Sequence, residues 1–457
     1  MRTLRIGGGA GYSGDRIEPS IELAERGELD YLVFECLAER TIALAQQARQ
    51  ADPGAGFDPW LRQRMRAVLP ACVARGTRIV TNMGAAHPRA AARACAEVAA
   101  ELGLPGLRVA AVTGDDVLDK VLASELRFEE SGDSLAGYRE RIVSANAYLG
   151  AEGIVRALRG GAQVVITGRV ADPALFLGPL VHEFGWAFDD WDRLGRGTLV
   201  GHLLECAGQL TGGYFADPGY KHVPDLARLG FPIGEVDESG NAEFSKVPGS
   251  GGRITEAACK EQLLYEIHDP AAYLQPDVTA DFSQVSVAAA GADRVGVRGG
   301  RGRPRPETLK VSVGYRDGFI GEGQISYGGP GALERALLAR DVVRERLRIT
   351  GLRASELRCD VLGLDSLYGE RGADASTPVD GVEFRLRVAA RVDSAEQARR
   401  VGNEVETLYT NGPAGGGGAS QSVRAVLAVQ SLLVPREWAR AEVHAIGAGA
   451  AESGESA

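Results

Sequence analysis

The sequence is poor in several features that would assign it to a specialised class of protein. Its six cysteines stand singly, with no Cys-x-x-Cys pair and no Cys/His pair at the spacing of zinc ligands, which argues against a disulfide framework or a structural zinc. No apolar run approaches the roughly 20 residues that a membrane helix needs, and the N-terminus lacks the layout of a signal peptide. The formal net charge of -10 disfavours a nucleic-acid-binding surface.

Two common catalytic signatures are also missing from the sequence. It contains neither the Gly-x-Ser-x-Gly of a serine-nucleophile elbow nor the Gly-Lys-Ser/Thr of a P-loop, which disfavours hydrolase and NTPase functions. What is present is 457 residues of ordinary globular composition, 44% hydrophobic and 25% charged, enough for two or three domains. We therefore expect a soluble cytoplasmic protein without nucleic-acid or membrane partners. Its richness in Ala, Arg and Gly, with little Lys, suggests a bacterial source.

Five glycines lie within eight residues near the N-terminus, in Gly7-Gly8-Gly9-Ala10-Gly11-Tyr12-Ser13-Gly14. A short apolar strand runs into this stretch, and Pro19 marks a helix behind it. Because glycine lets the backbone approach a ligand and a helix N-terminus carries unpaired N–H groups, the stretch fits an anion cradle as well as a plain strand-to-helix turn. Gly9, Gly11 and Gly14 also match the dinucleotide fingerprint, which together with Glu35 makes an NAD-dependent oxidoreductase an alternative.

The first third of the chain alternates short apolar strands with helices. The strands are predicted at 4–6, 29–34, 77–80, 107–112 and 163–166, and 138–147 is among the stretches predicted as helical. This alternation is typical of an α/β fold, a mostly parallel sheet flanked by helices in the doubly wound manner.

Polar side chains follow each of these strands, at the edge where ligands bind in such sheets. Each group taken singly is explained by helix capping, but five groups together favour a polar site that includes one cation. The residues are Asp15, Glu35, Thr81, Asn82, Thr113, Gly114, Asp115, Asp116, Thr167, Gly168, Arg169 and Asp172.

A second candidate group lies in the helical stretch 201–209. His202 and Glu205 are three residues apart and share one helix face, with Cys206 beside them. They fit an acid/base pair near a thiol, and equally a buried polar helix face; Thr211, Gly212 and Gly213 follow as further binding candidates. His-x-x-Glu is also half of a metal site, and the sequence leaves open whether a divalent metal binds with ligands from elsewhere.

The pattern changes in the C-terminal part of the chain. A β-rich extension is predicted at 304–330, with a hairpin turn at the Asp-Gly of 317–318. A boundary near 350 separates an α/β domain of residues 1–350 from strand, strand, helix and strand over 355–446, which fits a C-terminal ferredoxin-like α+β domain.

Two glycine-rich segments remain near the C-terminus. A loop carries Asn411, Gly412, Gly415, Gly416 and Gly417, and its four successive glycines favour contact with a ligand or partner over a flexible tether. Residues 447–457 are predicted to be a disordered tail.

These stretches together resemble the acyclic terpene utilisation (AtuA-like) family. The matching segments run nearly end to end, at 9–16, 29–33, 79–82, 112–116, 166–169, 201–214, 314–330 and 408–418. The resemblance implies a large α/β domain followed by a ferredoxin-like domain. It also implies a catabolic pathway of acyl-CoA intermediates, in which lyase and hydratase roles on a branched 3-hydroxyacyl-CoA have been supposed.

We therefore expect an enzyme, a hydratase, dehydratase or retro-aldol lyase, for a small carboxylate or a branched hydroxyacyl-CoA. Arg169 would pair with the substrate carboxylate, and the N–H groups of residues 11–14 would stabilise an oxyanion. Asp15, Asp115, Asp116 or Glu205 would serve as acid or base. Replacing Arg169 with Ala is expected to abolish turnover while leaving the melting temperature nearly unchanged.

Other functions and partners stay open at this point. The alternatives are the NAD-dependent oxidoreductase and a non-catalytic subunit of an acyl-CoA pathway complex. CoA enters only as the thioester of the substrate, and a divalent metal is left undecided. A homo-oligomer is expected, in which the four-glycine loop closes over the substrate of its own or a neighbouring subunit.

Overall fold

The computed structural model of the protein describes residues 2–367 and 383–446. The chain divides into two compact units, a larger one of Met1–Gly314 with Val429–Ala457, and a smaller one of Tyr315–Ala428. The smaller unit is therefore an insertion in the chain of the larger one. The predicted tail, 447–457, lies outside the described residues.

Strands and helices alternate through the first part of the chain, and longer strands follow. The strands are β1 (Thr3–Ala10), β2 (Tyr31–Phe34), β3 (Arg78–Thr81), β4 (Val109–Thr113), β5 (Ile142–Ala147), β6 (Val164–Thr167), β7 (Pro232–Asp237), β8 (Ala242–Lys246), β9 (Tyr273–Leu274), β10 (Thr279–Asp281), β11 (Ser286–Gly291), β12 (Arg294–Arg298), β13 (Arg301–Arg303), β14 (Thr308–Gly328), β15 (Glu356–Leu362), β16 (Glu383–Val392), β17 (Gly416–Pro435) and β18 (Glu442–Ile446).

The helices are distributed over both units. They are α1 (Glu18–Arg26), α2 (Glu39–Ala51), α3 (Leu61–Arg75), α4 (Pro88–Glu101), α5 (Leu118–Leu122), α6 (Glu152–Arg159), α7 (Ala174–Phe184), α8 (Trp191–Leu204), α9 (Glu256–Leu264), α10 (Ala332–Ile349), α11 (Ala395–Glu406) and α12 (Leu408–Asn411). In the described part of the chain, none of them combines the length and the apolar character that a membrane crossing requires.

The larger unit is built on a ten-stranded sheet in the order β11-β12-β8-β7-β1-β2-β3-β6-β4-β18. The five central strands, from β1 to β4 in this order, pair in parallel. The flanking strands β7, β8, β12 and β11 on one side, and β18 on the other, are antiparallel to their neighbours. The predicted α/β class is thus confirmed in its coarse form, but the sheet is mixed rather than mostly parallel.

Both faces of the central strands are buried. Along β2, Tyr31 and Val33 belong to the core cluster that contains α6 and α7, whereas Leu32 and Phe34 belong to the cluster that contains α3 and α4. A strand that is covered on both faces carries apolar side chains at every position. This is why the sequence 31–34 is an uninterrupted apolar run.

Two local predictions are wrong for identifiable reasons. The stretch 138–147, predicted as helical, contains β5, whose six residues pair with β14 and are almost entirely buried. The Asp-Gly pair at 317–318 is not a hairpin turn, since β14 continues through it to Gly328. Gly318 has a φ of +74°, and a Cβ there would lie 2.5 Å from the carbonyl oxygen of Val392. The turn-forming residue therefore bends a long strand instead of reversing the chain.

The smaller unit combines a sheet with two long helices, and in this sheet β16 is antiparallel to both β14 and β15. Its elements follow in the order β14, α10, β15, β16, α11, the short α12 and β17, and its sheet has the order β15-β16-β14-β17. Ala336 and Val343 of α10 share one core with Val401 and Val405 of α11. The boundary predicted near 350 lies inside this unit, because β14 and α10, which precede it, share the sheet and the core of β15 and β16.

The glycine-rich stretch is mainly a strand, since β1 continues through Gly7, Gly8 and Gly9 to Ala10. A Cβ at Gly8 would lie 2.7 Å from the carbonyl oxygen of Leu204, and a Cβ at Gly11 would lie 2.7 Å from the backbone of Cys206. The missing side chains therefore let the end of α8 lie directly against the end of β1.

Gly8→Ala is expected to destabilise the larger unit, because the new Cβ would meet the Leu204 carbonyl oxygen and force α8 to move. Overpacking of this kind lowers the free energy of unfolding by about 1–3 kcal/mol, which urea denaturation measures. Gly137→Ala is the matched control, since no atom of the described residues lies within 4 Å of its Cβ position. Equal stability of the two variants would show that the backbone contact at Gly8 does not matter.

Candidate functional site

A cavity of about 790 Å³ opens where β1, β2 and β6 end, and its lining residues all belong to the larger unit. Carboxyl side chains from several elements contribute to its wall: Glu35, Glu39, Glu129, Glu130, Asp172, Glu205 and Glu266. Among the lining residues that the structure describes, Lys310 of β14 is the one cation. The cavity is therefore strongly electronegative.

Arg169 is the buried cation behind this wall. Its side chain is 1% exposed, and its Nη2 donates to Oδ1 of Asp172 at 2.6 Å. Its Nη1 donates to the carbonyl oxygen of Leu37, and its guanidinium lies over the ring of Tyr148 at 4.1 Å from the centroid. Arg169 is not among the lining residues, and its partners are protein groups. It therefore holds the wall together.

Tyr148 and Glu39 form a second polar contact on the wall. The Tyr148 hydroxyl donates to Glu39, and Nζ of Lys310 lies 3.3 Å from the same carboxylate. Burial acts in the opposite direction, but the Tyr148 hydrogen bond and the charges of Arg169 and Lys310 lower the pKa of Glu39 to about 2. Glu39 is thus a fixed anion at neutral pH.

Glu35 is held at the end of β2 by two hydrogen bonds to one of its oxygens. Oε1 accepts from Nδ2 of Asn82 at 2.9 Å and from the backbone N–H of Leu37 at 2.7 Å. Burial, with the charge of Asp172 adding to it, raises the pKa of Glu35 to about 8. The carboxyl group is therefore mostly protonated at neutral pH. Because both hydrogen bonds are accepted by Oε1, the proton resides on the other oxygen, Oε2.

Asp172 lies between these two extremes. Its side chain is 33% exposed, and the cavity reaches it beside the ion pair with Arg169. Burial raises the pKa of Asp172 to about 6. The charges of Glu39 and Glu266 act in the same direction as burial, whereas the charge of Arg169 lowers the pKa. Asp172 is therefore mostly ionised at neutral pH. Its pKa lies near the working pH, as suits a general base.

His202 and Glu205 are in contact, as their spacing of three residues predicts. Nδ1 of His202 lies 2.9 Å from Oε1 of Glu205. Glu205 lines the cavity, whereas His202 is 1% exposed and packs behind it. Cys206 also lines the cavity, and burial raises the pKa of its thiol, so it is not a thiolate at neutral pH.

The structure brings together part of the predicted site. Gly11, Glu35, Asp172 and Glu205 line the cavity, and Asn82, Arg169 and His202 hold these groups from behind. The remaining predicted residues are placed in capping, packing or turn positions.

Asp15, Asp115 and Asp116 hold backbone rather than facing the cavity. Asp15 accepts from the backbone N–H of Gly11 at 2.9 Å, so this predicted oxyanion donor is already engaged. Asp115 is 5% exposed and accepts from the backbone N–H of Arg169 at 3.0 Å. Asp116 accepts from the backbone N–H of Leu118 at 3.1 Å, at the start of α5.

The predicted glycines outside the cavity allow close packing. A Cβ at Gly9 would meet the ring of Phe34 at 2.8 Å, and one at Gly14 would meet the ring of Tyr12 at 3.0 Å. Gly114 has a φ of +104° and faces the carbonyl oxygen of Arg440.

The next group of predicted residues lies at strand ends and turns of the larger unit. The threonines make local hydrogen bonds: Thr81 accepts from the N–H of Met83, Thr113 contacts His444, Thr167 donates to the carbonyl of Gly168, and Thr211 donates to the carbonyl of Gly230. The glycines allow close approach or a turn: Gly168 faces Asp115, Gly213 faces the carbonyl of Gly208, and Gly212 has a φ of +107°. Packing and turn geometry account for these positions.

The predicted binding residues near 411–417 belong to the smaller unit. Asn411 donates to the carbonyl of Thr407 at 3.1 Å, at the end of α12. Gly416 and Gly417 begin β17 rather than lying in a loop. A Cβ at Gly416 would lie 3.0 Å from Ile325, so close packing accounts for this glycine. A ligand contact by Gly412, Gly415, Gly416 or Gly417 stays a prediction.

Sequence reasoning missed Glu39, Tyr148, Lys310, Glu266 and Tyr273, which also line the cavity. A usable signal existed for Glu39, which follows Glu35 by four residues at the start of α2. Tyr148 directly follows β5, the strand that was predicted as helical. The described residues contain no group of three His, Cys, Asp or Glu side chains arranged to hold a metal ion.

The chain was compared with known proteins. The family model described as "Acyclic terpene utilisation family protein AtuA" matches residues 4–445. No curated protein and no solved structure was found to match the chain.

Glu35→Gln is expected to stabilise the protein by an amount that grows between about pH 5 and pH 8. The folded protein keeps the Glu35 proton up to a pKa of about 8, whereas the unfolded chain releases it near 4.5. The wild type therefore loses stability as the pH rises through this interval, and glutamine, which resembles the protonated carboxyl, does not. Urea denaturation across this pH range measures the difference.

Glu39→Gln is the matched control from the same wall, with the opposite sign. The pKa of Glu39 is lowered to about 2 from 4.5, so the stability it contributes is present above pH 4.5 and is lost as the pH falls through 2. Its variant is expected to be destabilised by a constant amount between about pH 5 and pH 8. A pH-independent effect of Glu35→Gln would contradict the shifted pKa.

Arg169→Ala is expected to lower the free energy of unfolding by about 3–5 kcal/mol, because it leaves Asp172 without its buried partner. This replaces the expectation from sequence that the melting temperature stays nearly unchanged. Arg228→Ala is the control, since Arg228 pairs with Asp225 at the same spacing but is 84% exposed, and exposed pairs contribute at most about 1 kcal/mol. Urea denaturation measures the free energy of unfolding of both variants. If the two values were similar, Arg169 would not be a buried support of the wall.

Proposed function

Since the chain belongs to the acyclic terpene utilisation family, AtuA, we propose that it is a lyase that removes water from, or adds water to, a hydroxylated acyl substrate. The observation that carries this proposal is that two neighbouring carboxyl groups, Glu35 and Asp172, line one cavity in different surroundings, which separate their pKa values. Glu35 has a pKa of about 8 and Asp172 a pKa of about 6, and the charge of Asp172 is one cause of the Glu35 shift. Carboxyl groups whose pKa values are separated in this way are suited to be acid and base.

In the dehydration direction Asp172 is the base and Glu35 the acid. Asp172 takes the proton from the carbon next to the acyl carbonyl, and the electron pair of that C–H bond forms the new C=C bond. The C–O bond to the neighbouring carbon breaks with its electron pair on oxygen, and this oxygen takes the Glu35 proton and leaves as water. Hydration is the reverse, and proton exchange with solvent restores Glu35 and Asp172.

The charge of the cavity restricts the substrate. Arg169 is already paired with Asp172, and Lys310 lies beside Glu39. A free carboxylate at the reacting end would therefore add a negative charge to a wall whose carboxyl groups already repel one another. A thioester or other ester of the acid avoids this cost, which favours a hydroxyacyl-CoA over a small free carboxylate.

We also propose that the smaller unit is a ferredoxin-like domain. The order β14, α10, β15, β16, α11, β17 and the sheet order β15-β16-β14-β17 support this assignment. The dinucleotide alternative has less support, because the Asp15 carboxylate lies on the Gly11 N–H, where a dinucleotide would place its pyrophosphate.

Glu35→Gln and Asp172→Asn are each expected to lower turnover by about 100-fold or more, the contribution of one general acid or base. Short, branched and unbranched 3-hydroxyacyl-CoA thioesters and the matching free 3-hydroxy acids serve as substrates, and the absorbance of the unsaturated product is the signal. Glu97→Gln, an exposed change on α4, is the control and is expected to keep full activity.

Two results would overturn the proposal. One is full activity in both Glu35→Gln and Asp172→Asn. The other is the absence of unsaturated product from every thioester and acid, combined with saturable enhancement of NADH fluorescence, which would favour the oxidoreductase instead.

A further inference from the structure

Glu205 carries an oxygen that no described residue of the chain contacts by a hydrogen bond. The residue follows α8, is 7% exposed and lines the cavity. Its Oε1 contacts His202 at 2.9 Å, whereas its Oε2 has no hydrogen-bond partner among the residues that the structure describes. An unpaired buried polar atom is costly. The missing partner of Oε2 is therefore expected to come from a molecule in the cavity.

The surroundings of His202 indicate where its proton lies. Its ring packs against Tyr273 and Phe282, with centroid distances of 5.4 and 6.0 Å. In the described part of the chain, its Nε2 has no hydrogen-bond partner. Burial lowers the pKa of His202 to about 4, so the ring is neutral at pH 7. Backbone groups of Leu263 and Gln262 lie near the ring and oppose the effect of burial on the pKa, but neither makes a well-directed hydrogen bond with Nε2. We therefore assign the proton to Nδ1, from which it is donated to Oε1 of Glu205.

The protonation of Glu205 follows from its neighbours. Burial, with the charges of Asp172 and Glu266 adding to it, raises the pKa of Glu205 well above its usual value. Both causes favour the un-ionised form of this carboxyl group. Because Oε1 accepts the His202 proton, the proton of Glu205 itself resides on Oε2.

We propose that Glu205, oriented by His202, donates a hydrogen bond from Oε2 to the carbonyl oxygen of the substrate. This inference rests on the proposed function and adds the acceptor group that the substrate must carry. When Asp172 removes the neighbouring proton, negative charge develops on the carbonyl oxygen, and a preoriented neutral acid stabilises it there. Glu205 is then a catalytic residue, and His202 is a positioning residue.

The acceptor that fits is the carbonyl of a ketone, ester or thioester. An ionised carboxylate would place a full negative charge beside Asp172 and Glu266, the residues that already disfavour ionisation of Glu205. A carbonyl oxygen is neutral before the reaction and gains charge only during it. The donor therefore stabilises the transition state more than the bound substrate, which is what catalysis requires.

Infrared spectroscopy tests the first half of this proposal without any substrate. The difference spectrum of wild type minus Glu205→Gln at pH 7 is expected to contain the C=O stretch of an un-ionised carboxylic acid. The control difference, wild type minus Glu129→Gln, removes a more exposed carboxyl from the same wall and is expected to contain the carboxylate bands. Carboxylate bands in the Glu205 difference would overturn the proposal.

A carbonyl probe tests the second half. 4-(Dimethylamino)cinnamaldehyde absorbs at longer wavelength when its carbonyl accepts a hydrogen bond, and the wild type is expected to bind it saturably with such a shift. Glu205→Ala is expected to abolish the shift and to weaken binding by about 2- to 10-fold, the effect of one neutral hydrogen bond. Glu97→Gln, the exposed change on α4, is expected to keep the shift. An equal shift in Glu205→Ala, or no shift in the wild type, would refute the donor role.

The role of His202 is tested by rescue. His202→Leu removes the Nδ1 donor and is expected to reduce the wavelength shift of the probe, while His202→Asn restores an N–H near the same position and is expected to recover it. An undiminished shift in His202→Leu would contradict a positioning role, and so would loss of the shift in His202→Asn at an unchanged melting temperature.

The outcomes separate this inference from the proposed function. If no thioester is turned over, the infrared band and the probe shift are still expected, and the reaction class alone is wrong. If turnover is found but Glu205 is ionised or the probe does not shift, the lyase assignment stands and the role of Glu205 is wrong.

Discussion

The site depends on one buried positive charge. Arg169 is almost completely enclosed, and a guanidinium in that position requires anionic partners. Asp172 supplies the direct ion pair, and the anionic Glu39 lies close enough to add to it. Glu35 and Glu205 have no such direct ion pair, and burial together with the charge of Asp172 raises the pKa of both carboxyl groups. The ion pair with Arg169 and the burial of the other carboxyl groups thus separate similar side chains into anions and neutral acids, which gives them different chemical roles.

Backbone packing positions the second part of this group. The end of α8 lies against β1 only because Gly8 and Gly11 have no side chains where Leu204 and Cys206 approach. Glu205 lies between those two α8-end residues and reaches the cavity as a result of this contact. The glycine-rich stretch, which has the composition of a ligand-binding loop, therefore contributes to the site through packing as well as through the Gly11 backbone at the cavity wall.

Part of the site could be predicted from the sequence, because residues at the ends of parallel strands meet at one sheet edge. Glu35 and Asp172 were found in this way, and the helical spacing of His202 and Glu205 gave their contact. Lys310 could not be found by this argument, because it comes from a strand far along the chain whose pairing with β5 is decided by tertiary structure. The protonation states were also out of reach, since they depend on burial and on distances between charges rather than on residue type.

The insertion of the smaller unit into the larger one has a consequence for how the protein is made. Strand β18 and the cavity residues Ser431 and Leu433 lie beyond the inserted segment in the chain. Because synthesis runs at about 5–20 residues per second, these residues leave the ribosome only after the whole smaller unit has been made. The edge beside β4 stays unpaired, and the cavity incomplete, until β18 and these residues have appeared. A nascent chain of this protein therefore exposes a strand edge for tens of seconds at that rate, the interval in which chaperone binding or mispairing would occur.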